Sequence, residues 1–399
     1  MPRVLQPVLA GAVTALVGFA SSFAVLLAGL RAVGADEHQA ASGLLAICLG
    51  IGITAIGLGL WLRMPVTTAW STPGAALLVS TGPIAGGFAA AEGAFLLAGV
   101  LIVATGLLPF LGRWIAAIPT PMASAMLAGV LLNLCLAPAR AVVQVPALAV
   151  PVVLIWAVLY RLARPWAVPG ALAAAMVAIA MSGADALPAG ASLRPELVLT
   201  PPAFTVAGVV SIALPLFLVT MAAQNIPGMA VLAGYGYHPP LRPVLAATGA
   251  ATIGAALFGG HALNLAAITA ALAAGPDASP DPRRRWIASV TAGAGMILLG
   301  LTAGIAMALV LLSPPVLIEA VAGLALLGAL AAALVAAVSA ADGRDAAIVT
   351  LVVTASGINL LGVGAAFWGL VAGGLMHLLH RRREKAVVAD LVPAGDTST

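Results

Sequence analysis

The stretch Met64-Pro65-Val66-Thr67-Thr68-Ala69-Trp70-Ser71-Thr72-Pro73-Gly74-Ala75-Ala76-Leu77-Leu78 does not read as a regular helix. A proline, three β-branched residues and a tryptophan favour extended backbone at its start, and a helix-forming run begins only after Thr72. Thr72 suits an N-cap and Pro73 the first helical position, where its missing N–H costs nothing. A matching interruption reads Phe258-Gly259-Gly260-His261-Ala262-Leu263-Asn264-Leu265-Ala266-Ala267-Ile268-Thr269, with two glycines loosening the backbone and Asn264 available as a second N-cap. The segments Val66 to Trp70 and His261 to Leu263, just ahead of the two helix starts, are expected to pair as short strands that satisfy each other's backbone groups.

The surrounding composition says what such interruptions mean. Of 399 residues, 62% are hydrophobic and 8% charged, against roughly 25% charged in a soluble domain. A soluble enzyme and a nucleic-acid binder are excluded. Long apolar runs rich in Ala, Leu, Gly and Val also exclude a transmembrane barrel, whose strands alternate over about 10 residues. Polar and Gly/Pro punctuation divides the chain into fourteen spans near residues 6–33, 41–62, 65–82, 88–111, 120–136, 142–161, 166–182, 205–233, 240–257, 259–275, 285–312, 315–339, 345–361 and 364–380. The fold class is therefore an all-α polytopic membrane protein with a broken third and tenth span. A half-helix that begins in mid-membrane presents unpaired N–H groups and the positive end of its dipole, which an anionic group in a cavity would satisfy. The alternative is two kinked helices with no site.

Orientation follows from the cations. With the N-terminus inside, 14 of the 17 Lys and Arg fall on the cytoplasmic side (Arg3, Arg63, Arg113, Arg161, Arg164, Arg242, Arg283, Arg284, Arg285, Arg344, Arg381, Arg382, Arg383 and Lys385), and Arg31, Arg140 and Arg194 fall outside. This bias predicts an even number of crossings and two cytoplasmic termini. The polar linker Gly183 to Pro202 leaves seven spans on each side, and an odd number per half forces the halves into opposite topology. Ser21-Ser22 in the first span and Gln224-Asn225 in the eighth occupy matching places, as do Ser71 and Asn264 in the third and tenth.

The segments Thr67 to Leu78 and Ala222-Ala223-Gln224-Asn225-Ile226-Pro227-Gly228 resemble the third-span and eighth-span motifs of the BenE-type benzoate:proton symporters, whose fold is shared with nucleobase transporters and anion exchangers. The resemblance runs along almost the whole chain. It implies 7+7 inverted repeats, a core domain of residues 1–112 and 205–312 moving against a gate domain of 113–183 and 313–383, a linker at 184–204 and a cytoplasmic tail at 384–399. It implies a substrate site where the third and tenth spans meet beside the first and eighth, formed by Ser21, Ser22, Trp70, Ser71, Thr72, Gln224, Asn225, His261, Leu263 and Asn264. Nucleobase-transporting relatives carry carboxylates on the eighth and tenth spans. This sequence has none there, which favours an anionic substrate.

Among the candidates, His261 is the histidine expected deep in the membrane, and an ordinary imidazole pKa of about 6.5 suits a proton carrier, although a neutral hydrogen-bonding role fits equally. Gln224 and Asn225 can offer amide donors to a carboxylate, or can satisfy backbone groups freed by Pro227. The hydroxyls of Ser21 and Ser22 can meet a substrate or bond back to their helix. Trp70 and Phe19 can stack on an aromatic ring or simply pack. Glu92 and Glu319, both expected near the outer face, are further proton-coupling candidates. Cys48 and Cys135 lie in apolar stretches and offer no metal or disulfide framework. No G-x-x-x-x-G-K-[ST], G-x-S-x-G or H-E-x-x-H pattern is present, so neither an ATP-driven pump nor an intramembrane enzyme is indicated, and no cofactor or metal is expected. The expectation is proton-coupled uptake of benzoate or a similar aromatic monocarboxylate across the inner membrane, with an uncoupled anion channel or exchanger as the alternative and a homodimer left open.

Overall fold

The computed structural model describes residues 4–108, 119–181, 193–194, 196–267, 269–340, 343–360 and 363–391, with side chains as far as residue 379. Arg3, Arg113, the side chains of Arg381, Arg382, Arg383 and Lys385 from the orientation argument, and about half of the linker lie outside this set. The chain opens with α1 (Leu5–Ala32) and α2 (Glu37–Leu62). Asp36 and Gln39 form a reciprocal capping box at the start of α2, at 2.8 and 3.0 Å, and Arg63 closes its other end in the left-handed region at φ 51°. Then follow strand β1 (Thr68–Trp70), α3 (Thr72–Thr81) and α4 (Gly87–Leu107). Next come α5 (Thr120–Cys135), continued by α6 (Ala137–Gln144), α7 (Pro146–Leu162) and α8 (Ala167–Met181).

The second half begins with the helical span Val206–Gly234, here α9, and continues through α10 (Leu241–Ala256), strand β2 (Leu263–Leu265) and the five-residue α11 (Ala270–Ala274). After it come α12 (Trp286–Gly300), α13 (Ala303–Leu312), α14 (Pro315–Val338), α15 (Arg344–Ala355) and α16 (Ala365–Leu391), with a small antiparallel pair, β3 (Asn359–Leu360) and β4 (Val363–Gly364), before α16. Among the described residues seven helical stretches are long and apolar enough to cross a bilayer, and the bent α12–α13 pair makes an eighth.

Three expected boundaries are corrected. Residues 137–144 extend the fifth span, so Arg140 lies within α6 rather than in a loop, and the sixth span starts at Pro146, which cannot continue the preceding helix. The eleventh span is two helices bent by 58°. At the bend the Thr302 hydroxyl takes the Leu299 carbonyl at 2.6 Å, competing with the helix ladder. The thirteenth ends at Ala355, ahead of Gly357 with φ 66°.

Packing follows an exchanged pattern in which α2 lies on α12 and α10 lies on α4. Both crossings are made by facing glycines, Gly52 with Gly293 and Gly99 with Gly249, each so close to the opposite carbonyl that no side chain fits between. Small residues that let backbones approach drive helix association where apolar burial alone gains nothing over lipid. Gly99→Val is expected to part α4 from α10 at a cost of about 1–3 kcal/mol, read as a lowered melting temperature. Gly57→Ala is the control, because nothing lies within 4 Å of the added carbon.

Candidate functional site

The broken spans meet as expected, two residues out of register on the second side. β1 and β2 pair antiparallel with Thr68 opposite Leu265, Ala69 opposite Asn264 and Trp70 opposite Leu263, and the Ser71 N–H extends the ladder to the Ala262 carbonyl at 2.9 Å. The expected caps need correction. Ser71, not Thr72, caps α3: its hydroxyl oxygen accepts the Gly74 N–H at 3.1 Å and the Thr220 O–H at 2.9 Å. Pro73 therefore stands at the second helical position, still within the turn that needs no N–H. Asn264 caps nothing. It sits inside β2, where its amide, turned to match its neighbours, accepts the Ser71 N–H at 2.9 Å and donates to the Leu265 carbonyl at 2.7 Å. The second helix starts only at Ala270, with Thr269 ahead of it and no side-chain cap. The two half-helices are thus unequal, and α3 carries the longer dipole.

The eighth span explains why an amide pair can sit deep in a bundle. Pro227 has no N–H to give to the turn before it, and α9 widens into a π-turn over Met221–Asn225. That turn aims the two amides in different directions. Asn225 Oδ1 accepts the Leu265 N–H at 2.9 Å and its Nδ2 reaches Met221 Sδ at 3.3 Å, so Asn225 holds β2 in place. Gln224, 6% exposed, makes no hydrogen bond to the described protein and lines a cavity.

This cavity, about 60 Å³, lies between α1, α2, β1, the Gln224 turn, Ala266, Ala267, Thr269 and α12. Its walls combine apolar surface (Ala15, Ile51, Ala55, Met296) with two kinds of polar group. Ser21 and Ser22 bond back to the Gly18 carbonyl at 3.0 and 3.3 Å, and Ser22 also accepts the Trp70 indole N–H at 2.9 Å. Trp70 is held in turn by Phe19, edge-on at 6.0 Å, which stacks on Phe23 at 5.3 Å. These groups are spent. The amide of Gln224, the hydroxyls of Thr67 and Thr269, and the hydroxyl and N–H of Thr72 at the start of α3 have no partner in the described protein. No charged side chain lines the cavity among the described residues. In so apolar a setting an unmet donor is costly, and four such groups around one space make a site for a guest that accepts hydrogen bonds.

The sequence-derived candidates separate accordingly. Ser21, Ser22, Trp70, Thr72 and Gln224 line the cavity; Ser71, Asn225, His261, Leu263 and Asn264 do not. Leu263 is fully buried, and its N–H goes to the Thr252 hydroxyl at 2.9 Å. Thr67 and Thr269 carry no signal in the sequence, because threonine is ordinary in either extended backbone or a cap, and only the spent or unspent state of each hydroxyl separates it from its neighbours. His261 lies behind the strand pair with its ring edge-on to Phe95 of α4 at 6.3 Å, fully buried, neither nitrogen hydrogen-bonded. Glu92, three residues before Phe95 on α4, is also fully buried, with Thr200 the polar side chain facing it and no hydrogen bond of good geometry to either carboxylate oxygen among the described residues. Glu92 thus lies near the start of α4, enclosed by protein. Glu319 is half-buried on α14, away from the cavity.

A strand crossing that presents a helix start and one unspent amide to a cavity fits a membrane transport protein, and the comparisons with known proteins specify which. A family model described as benzoate membrane transport protein, BenE, matches residues 3–379. The chain belongs to the BenE family. It is 38% identical over 372 residues to the inner membrane protein YdcO of Escherichia coli (strain K12), covering 93% of this chain and 95% of that one. It is 31% identical over 377 residues to the benzoate membrane transport protein of Acinetobacter baylyi (strain ATCC 33305 / BD413 / ADP1), covering 94% and 95%. Among solved structures, the transmembrane domain of the cyanobacterial bicarbonate transporter BicA matches with a TM-score of 0.59 at 17% identity, covering 94% of this chain and 98% of that one. The murine anion transporter Slc26a9, inward-facing, matches with a TM-score of 0.60 at 12% identity, covering 96% and 69%. The fold is that of these transporters, with inverted repeats forming core and gate. This BenE protein is a multi-span membrane transport protein of a bacterial family, which places it in the plasma membrane, and it is not an enzyme.

Proposed function

We propose that the protein carries benzoate or a similar aromatic monocarboxylate across the plasma membrane together with a proton, with both termini cytoplasmic. One observation carries this reading: the cavity offers unspent hydrogen-bond donors at Gln224, Thr72 and the neighbouring threonines and no acidic side chain to repel an anion. The carboxylate accepts from the Gln224 amide and the start of α3, where the helix dipole adds to the attraction. The ring lies against Trp70 and the apolar wall. Ser71, Asn225, Leu263 and Asn264 hold the strand crossing that positions these groups. Alternating access follows from core (1–112 and 205–312) moving against gate (113–183 and 313–383). The coupled proton is held by His261 and Glu92, two buried titratable side chains with no hydrogen bond among the described residues.

The absence of a titratable side chain from the cavity lining favours a second reading, an uncoupled anion channel or exchanger. Proteoliposome uptake separates the two. In the symporter, protein-dependent, saturable benzoate entry accelerates with an inward proton gradient and ignores an imposed membrane potential when one proton accompanies each anion. In a channel it follows the potential and ignores the proton gradient. Entry no faster than in protein-free liposomes under any gradient removes benzoate as the substrate.

A further inference from the structure

A second large recess lies on the outside of the bundle, between α2 and α10. It measures about 610 Å³ and is walled by small and apolar residues, among them Gly57, Trp61, Ala247, Ala250, Gly254 and Phe258. We infer that this groove seats an anionic phospholipid, with an acyl chain along Gly57 and Gly254 and the headgroup at Arg63 and Arg242.

The groove is open because its walls lack side chains: a carbon added at Gly57 or Gly254 would meet nothing within 4 Å. Ile53, at 66% exposure, and Trp61, at 68%, border it and face the membrane. From Ala46 to Trp61 it follows α2 for 15 residues, roughly 22 Å of helix, more than the roughly 15 Å depth of one leaflet. A whole chain can therefore lie in it.

Charge decides the class of lipid. Arg63 follows Trp61 by two residues and lays its guanidinium over the Trp286 ring at 4.5 Å, and the exposed Arg242 adjoins Pro243, which lines the same end. Neither arginine has an ion pair among the described residues, no acid follows Glu37 in α2, and α10 contains none. A transported carboxylate fits this groove poorly: its hydroxyl, Thr54, is spent on the Gly50 carbonyl and Thr68. Two cations without an ion pair among the described residues, each within two residues of the lining at the same end of an apolar slot, match a phosphate group with an attached chain.

The test uses the full protein in phosphatidylcholine vesicles containing bromine on the chains of either phosphatidylglycerol or phosphatidylcholine at equal mole fraction. The Trp61 signal is the fluorescence lost in Trp61→Phe. Phosphatidylglycerol is expected to quench it preferentially. Arg242→Gln should lower that preference about fivefold, the worth of one basic residue at an anionic surface, and Gly254→Leu, filling open space, should abolish it with the melting temperature unchanged. Should Gly254→Leu not fold, Arg242→Gln alters only an exposed side chain and decides alone. Equal quenching by the two lipids makes the recess ordinary solvated surface, and no quenching by either means another copy of the chain covers it; each result overturns the inference. Benzoate transport is not measured here, so this outcome is independent of the function proposed above.

Discussion

Gln224→Leu is expected to lower benzoate uptake roughly 5- to 75-fold at substrate concentrations near the parent KM while leaving the melting temperature of the protein where it was. A hydrogen bond from a neutral amide to a charged acceptor contributes about 1.5–3 kcal/mol, so losing it raises KM roughly 10- to 150-fold. The fold loses no hydrogen bond, because Gln224 makes none among the described residues. Its neighbour behaves oppositely. Asn225→Ala strands the buried Leu265 N–H that its side chain accepts at 2.9 Å, and an unmet buried donor costs about 1–3 kcal/mol. Thermal melting and uptake, measured on both variants, should therefore dissociate: one folded and slow in uptake, the other destabilised. Equal losses of stability in the two would show that the amides form one structural unit and that Gln224 is no substrate ligand.

The second large effect concerns coupling. Glu92→Gln keeps the shape of a side chain that is fully buried without a hydrogen-bond partner, and removes its ability to exchange a proton. Uptake driven by a proton gradient should fall at least tenfold, whereas exchange of labelled for unlabelled benzoate at equal pH on both sides continues. Stability should hold or rise, since a buried ionisable group with no partner is a cost to the fold. His261→Ala should likewise reduce gradient-driven uptake more than it reduces stability, its ring nitrogens being unbonded. Gradient-driven uptake at parental rates in both variants would place the coupling elsewhere, with Glu319 next to be tested.

Much of this arrangement can be read in the chain before any coordinate is known, and the reasons are local. Pro65, the β-branched run and the tryptophan favour extended backbone ahead of α3, and Gly259-Gly260, the first at φ 83°, end the preceding helix ahead of β2, so the strand pair follows from elementary preferences. The amides before Pro227 stand out because polar side chains in hydrocarbon are expensive. What the sequence conceals depends on direction. Ser71 and Thr72 are equally good caps, and only the turn of the chain after Trp70 makes Ser71 accept the Gly74 N–H. Asn264 has the chemistry of a cap but lies in β2, because the second extended segment runs to Leu265 rather than stopping at Leu263. Gln224 and Asn225 are adjacent and chemically alike, yet one faces the cavity and the other the strand, a division set by the widened turn. His261 has the depth of a carboxylate's partner, yet it lies behind the strands against Phe95.

The most direct measurement is a structure of the protein with 4-iodobenzoate bound, in which the iodine and carboxylate mark the two ends of the guest. The account predicts the carboxylate against Gln224 and the start of α3, with the iodinated ring beside Trp70. A guest seated elsewhere, with the cavity between α1, β1 and α12 still empty at saturating ligand, would contradict it.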